Sequence, residues 1–210
     1  MTLTNFPNGI SIPGFVNIDE NGITLLNTVW DDLRVPVTST KLGGSKDPGF
    51  AKVLDNGSSS QGLFTYLFDA GSEEEVYFAC QLPHNWKKET DIKPHVHWIP
   101  VANGTAGQKV CWGLEYSFKV INGVFGNSTI IYGNEVNPSV SVLVAKTHYL
   151  TSLTAISMTG ITTVSSMLLC RLFRDATGAG GLDSYTDDAA LLEIDFHYEI
   201  DSLGSNTEHS

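Results

Sequence analysis

Two stretches decide the fold. Residues 110–120 read VCWGLEYSFKV, and residues 190–201 read ALLEIDFHYEID. In the first, Val110, Trp112, Leu114, Tyr116, Phe118 and Val120 alternate with Cys111, Gly113, Glu115, Ser117 and Lys119. In the second, Leu192, Ile194, Phe196, Tyr198 and Ile200 alternate with Glu193, Asp195, His197, Glu199 and Asp201. Successive side chains of a strand point to opposite faces, so a period of two with one apolar and one polar side describes a half-buried antiparallel strand.

Working outward, the same alternation, or a short apolar run bounded by turn residues, predicts strands at 63–68, 76–82, 95–101, 129–133, 140–145, 148–158 and 161–173. No segment carries a helical period. Strands without intervening helices imply an all-β antiparallel β-sandwich or barrel. Residues 1–28 are rich in turn signals (Pro7-Asn8-Gly9, Pro13-Gly14, Asn21-Gly22) and read as an extended N-terminal arm with at most one strand. Residues 38–62 and 176–188 read as loops. The domain plan is an arm at 1–28, a single β-sandwich domain at 29–206 and a frayed polar tail at 207–210.

Bulk composition narrows the partners. A formal net charge of −11, with no Lys/Arg cluster, argues against nucleic acid and against an anionic membrane surface. Charged residues are only 17% of the chain and Gly reaches 20, a composition of sandwiches rather than of helical bundles. Cys80, Cys111 and Cys170 are odd in number, form no CxxC and sit in apolar stretches, so they read as buried free thiols. The first residues, MTLTNFPNGISIPG, have neither a basic nor an apolar leader segment, which favours a product that folds in a reducing cytoplasm.

The segment Pro94-His95-Val96-His97-Trp98 is the most chemical in appearance. On a strand, His95 and His97 share a face and could share a metal ion, as in the HxH of cupins. Glu115 and His148 are the only loose candidates for completing such a set, and the Gly-rich spacing of cupins is missing. The leading reading is a structural His pair bonded to backbone or to carboxylates, with no cofactor. The face of the last strand carrying Glu193, Asp195, His197, Glu199 and Asp201 reads as a solvated outer face that could pair with His95 and His97, or with Arg171 and Arg174. There is no GxSxG elbow, P-loop, dinucleotide fingerprint or zinc CxxC pattern, so no catalytic residue is assigned and the chain reads as a non-enzyme.

Three blocks, WDDLRVP (30–36), LPHNWKKETDIKPHVHW (82–98) and LLEIDFHYEIDSLGS (191–205), resemble structural proteins of tailed-phage virions. The resemblance implies a jelly-roll-like virion protein made in the bacterial host cytoplasm, most specifically a head decoration (cement) protein. Such a protein would assemble as a homo-oligomer, a trimer being the common case, and bind the major capsid protein or another virion protein. Asn8, Ile10, Ile12 and Phe15 in the arm are the expected interaction residues, lying along a neighbouring subunit or the capsid lattice. The competing reading is a tail-associated receptor- or glycan-binding module, which exposed aromatics such as Trp86, Trp98 or Tyr185 would favour. A second alternative is a cupin-like protein holding a transition metal inside the sandwich through His95 and His97.

Overall fold

The computed structural model describes residues 9–19, 22–133, 142–180, 183–205 and 208. Its strands are β1 (Ile10–Ile12), β2 (Val16–Asp19), β3 (Gly22–Pro36), β4 (Gly49–Leu54), β5 (Leu63–Phe68) and β6 (Glu75–Gln81). They continue with β7 (Lys93–Pro100), β8 (Trp112–Lys119), β9 (Thr129–Gly133), β10 (Tyr149–Ser152), β11 (Met167–Arg174) and β12 (Ala189–Ser202). All pairings are antiparallel. The small sheet runs β6-β11-β8-β9. In the large sheet, β12 is flanked by β7 and then β10 on one side, and by β3 and β5 sharing the other. Leaving aside β1, β2 and the β4–β5 hairpin, the eight remaining strands form the sheets β3-β12-β7-β10 and β6-β11-β8-β9. That is the double Greek key of a jelly roll.

The alternation of the sequence builds the core between these sheets. Val96, Trp98, Ile194, Phe196 and Tyr198 of the large sheet face Val76, Phe78, Trp112, Leu114, Leu168 and Leu172 of the small one, all buried. The Trp98 and Trp112 rings meet edge-on at 6.5 Å, Phe68 and Trp112 at 5.0 Å, and Phe78 and Phe196 at 6.2 Å. Cys80, Cys111 and Cys170 are buried free thiols. The last strand departs from its sequence pattern at one point. A bulge between Leu191 and Glu193 shifts its register against β7, so Leu191 enters the core and Leu192 turns outward.

Residues 1–28 contain more strand than expected. The Pro13-Gly14 turn is closed by the Phe15 amide donating to the Ile12 carbonyl at 2.9 Å, with Gly14 at φ +78°, as a type II turn requires at that position. β1 and β2 thereby form a hairpin that pairs with the start of β3. Cross-strand partners share a face, and here they are Ile10 with Ile18, Ile12 with Val16, Val16 with Leu25 and Ile18 with Ile23. This ribbon therefore has one apolar face, while Ser11, Asn17 and Thr24 lie on the other. β3 runs out of the ribbon and pairs with β12 from Val29 to Pro36.

Other segments also differ from expectation. Residues 38–62 hold β4, hidden in the sequence by flanking Gly and Pro. The strand expected at 148–158 is confined to 149–152, and that at 161–173 begins at Met167. Between them, buried Leu153, Ile156, Met158 and Val164 anchor an irregular segment to the core. Their spacing mimics strand alternation. Of the strand expected at 140–145, residues 142–145 are irregular and 140–141 lie outside the described residues.

Candidate functional site: a histidine–carboxylate cluster

Register brings the two chemical segments of the sequence together. His95 of β7 lies opposite Asp195 of β12, His97 opposite Glu193, and Lys93 opposite His197. On the other side of β12, His197 faces Asp32 and Asp195 faces Arg34. Val96, Trp98, Ile194, Phe196 and Tyr198 point into the core, so the alternating His95, His97, Asp195 and His197 share the outer face of the large sheet. The imidazoles thus do not enter the space between the sheets, where a cupin-like arrangement would need them. Whether the His pair meets the acidic face of the last strand was open in the sequence; the two meet within one chain.

Asp195 is the centre of the cluster. His97 Nε2 lies 3.1 Å from Asp195 Oδ2, and His97 Nδ1 lies 2.8 Å from His148 Nε2. His95 Nδ1 stands 3.4 Å from Asp195 Oδ1, and His197 Nε2 stands 2.7 Å from Asp32 Oδ1 and 3.6 Å from Asp195 Oδ2. The His95 and His197 rings meet edge-on at 4.2 Å. One ligand atom from each of His95, Asp195 and His197 falls within 4.8 Å of the others. Although on an outer face, Asp195 is only 5% exposed and His95 9%.

Burial works to raise the Asp195 pKa, but the hydrogen bonds and charges of His95 and His97 overcome it and hold the carboxyl well below the usual range. The hydrogen bond to Asp195 raises His97 against the opposing effect of burial. His95 Nδ1 and Asp195 Oδ1 meet only through a long 3.4 Å contact and have no other hydrogen-bond partner.

The remaining candidates are dispersed. Arg171 and Arg174 do not reach the acidic face of β12. Arg171, on the small sheet, donates to Glu75 at 2.6 Å, Glu115 at 2.9 Å and Glu73 at 3.3 Å. It lines an open groove of about 550 Å³ together with Lys46, Tyr77, Ser117 and Ser128. Arg174 is fully buried and pairs with Asp183. Trp86, Trp98 and Tyr185, whose exposure would have favoured a glycan-binding module, are all buried: Trp86 donates to the Thr90 carbonyl, Trp98 to Thr151, and Tyr185 to the Ala102 carbonyl. Of the arm residues, Ile10 and Ile12 lie on the apolar face of the ribbon, Phe15 sits in its turn, and all three are exposed. Asn8 lies outside the described residues.

Sequence reasoning placed His95 and His97 on one face but did not single out Asp195 and His197 as the residues that meet His95. The signal was present, since His197 and Asp195 interrupt the polar side of the last strand as D-F-H. The register between strands about 100 residues apart is not written in either strand.

No protein-family model matches this chain, and no curated protein matches it. Among solved structures, dimeric latent PorU from Porphyromonas gingivalis is similar over 94% of this chain with 14% identity and a TM-score of 0.37. This chain spans 14% of that protein. TmCBM61 in complex with β-1,4-galactotriose is similar over 82% of this chain and 88% of its own, at 12% identity and a TM-score of 0.32. CBM28, a carbohydrate-binding module specific for non-crystalline cellulose, is similar over 96% and 99% of the two chains, at 10% identity and a TM-score of 0.26.

Proposed function

We propose that the chain is a non-enzymatic structural subunit that assembles with copies of itself through its N-terminal ribbon, and that it serves as a tailed-phage virion protein of the head-decoration type. The observation that carries the assembly reading is the uncovered apolar face of the ribbon. Ile12 is 51% exposed on a strand whose opposite face is polar, and Phe15 in the adjoining turn is 66% exposed. A second uncovered patch lies on the β4–β5 hairpin, where Phe50 stacks on Phe64 at 5.9 Å and Leu63 is 65% exposed. The ribbon side chains, with Ile10 and Ile18, and the hairpin side chains, with Leu54, each expose on the order of 400 Å², and joined in one contact they approach one partner's share of a standard protein interface. Apolar patches of several hundred Å² are often interaction sites. The occupant is a second copy, because two apolar patches on one chain allow each subunit's ribbon to cover its neighbour's hairpin around a closed ring. The virion assignment rests on the resemblance of the 30–36, 82–98 and 191–205 blocks, and the trimer on what that resemblance implies.

The test is the solution mass of the full chain by light scattering, with and without Ile12→Asp and Phe15→Asp. A closed oligomer that the substitutions convert to a folded monomer is expected. A wild-type monomer at high micromolar concentration overturns the assembly reading. Failure of the oligomer to cosediment with undecorated phage heads overturns the decoration role alone.

A second reading, a glycan-binding module, is favoured by the groove around Arg171. There Tyr77, a third exposed, stands beside fixed donors and acceptors, the combination sugars require. Binding on a glycan array that Tyr77→Ala abolishes would support it, and silence across the array would remove it.

A further inference from the structure

We propose that His95, Asp195 and His197 form a binding site for a divalent first-row transition metal ion of the Zn²⁺ class on the outer face of the large sheet. Two imidazoles and one carboxylate are a donor set suited to Zn²⁺ and its neighbours. It is a poor set for Ca²⁺ or Mg²⁺, which take shells of oxygen ligands. Zn–N and Zn–O bonds of about 2.0–2.2 Å place tetrahedral donors roughly 3.3–3.5 Å apart. The three ligand atoms here already lie within 4.8 Å of one another, so small side-chain rotations close the site.

The backbone has prepared this geometry. His95 and Asp195 are direct partners on paired strands, and His197 is two residues beyond Asp195 on the same face. Binding therefore orders no loop. Two atoms facing the site, His95 Nδ1 and Asp195 Oδ1, stand 3.4 Å apart on residues no more than 9% exposed and have no hydrogen-bond partner beyond this long contact, so an ion between them would take a lone pair from each. A neighbouring group plays the orienting part that outer partners play around metal centres. His97 holds the second oxygen of Asp195, whereas Asp32 Oδ1, 2.7 Å from His197 Nε2, occupies the nitrogen that faces Asp195 and must release it or join the ion as a ligand. With three protein ligands, the ion keeps at least one position for water or for a group from another molecule.

The experiment uses the full chain stripped with a chelator and titrated with Co²⁺, followed by its visible absorption, and with Zn²⁺ by calorimetry. Saturable binding of one ion per chain is expected, with Zn²⁺ displacing Co²⁺. Asp195→Asn and His197→Gln should each weaken binding by at least about tenfold. His84→Gln, whose ring lies 2.7 Å from Ser165 and Ser205 hydroxyls instead, should leave it unchanged. Absence of saturable binding, binding only at millimolar metal, or affinity untouched by either substitution overturns the proposal. If the variants do not fold, as judged by circular dichroism, anomalous diffraction from Co²⁺-loaded crystals of the unaltered chain decides. A peak among the three side chains supports the site, and a peak elsewhere refutes it.

Discussion

Removing the Asp183 carboxylate should destabilise the sandwich far more than its place in a loop suggests. Arg174 ends β11 and is wholly shielded from solvent. Its guanidinium donates to both Asp183 oxygens at 2.9 Å, and to the carbonyls of Phe68, Asp187 and Tyr185 at 3.0, 2.8 and 2.6 Å. Asp183 Oδ2 also accepts the Cys111 amide at 3.0 Å. This clamp fastens the segment leading into β12 to β5 and to the entrance of β8. Asp183→Ala leaves a buried cation without its counter-charge and an amide without its acceptor, a loss of about 3–5 kcal/mol. For a chain of this size that lowers the melting temperature by roughly 6–20 °C. Arg174→Met should cost a similar amount, while the double variant should lose less than the sum, by up to about 3 kcal/mol of coupling. The assay is urea unfolding of the four proteins, monitored by tryptophan fluorescence. A cost under about 1 kcal/mol for Asp183→Ala, or strict additivity in the double variant, refutes the argument that the pair acts as a buried unit.

Two further predictions follow from particular residues. The bulge in β12 predicts that Leu191→Ala costs about 2–5 kcal/mol, as deletion of a core side chain does, whereas Leu192→Ala costs under about 1 kcal/mol; the reverse order in thermal melting would place the bulge elsewhere. The Ser128 hydroxyl bond and then Arg171 hold the Glu115 carboxyl below its ordinary value against burial, so its contribution to stability is present above the unfolded value of about 4.3 and is lost as pH falls through the folded one. In an NMR titration Ser128→Ala should move the Glu115 midpoint upward, and an unmoved midpoint would remove the hydroxyl as the cause.

Much of the fold was legible because alternation is a local property. Trp112, Leu114, Tyr116 and Phe118 had to share a face whatever they packed against, and so did Ile194, Phe196 and Tyr198. The same locality explains the errors. At Leu191-Leu192 either leucine could begin the apolar phase, and the bulge that chooses Leu191 is set by the pairing with β7. Whether Trp86, Trp98 and Tyr185 were exposed was not legible locally either, since each carries a polar atom on an apolar ring. Each is buried because its N–H or O–H has an acceptor in the fold.

By itself the sequence determined an all-β chain, the paired placement of His95 with His97 on one strand face, and an acidic side to the last strand, because these follow from a two-residue period and side-chain chemistry. Only the tertiary structure decided that β7 lies beside β12 with His95 opposite Asp195, that Arg171 and Arg174 turn to other carboxylates, and that residues 10–19 and 22–25 pair into a ribbon with one bare apolar face. Each of these depends on register between strands distant in the chain. Register is chosen by the packing of the whole sandwich rather than by any one strand.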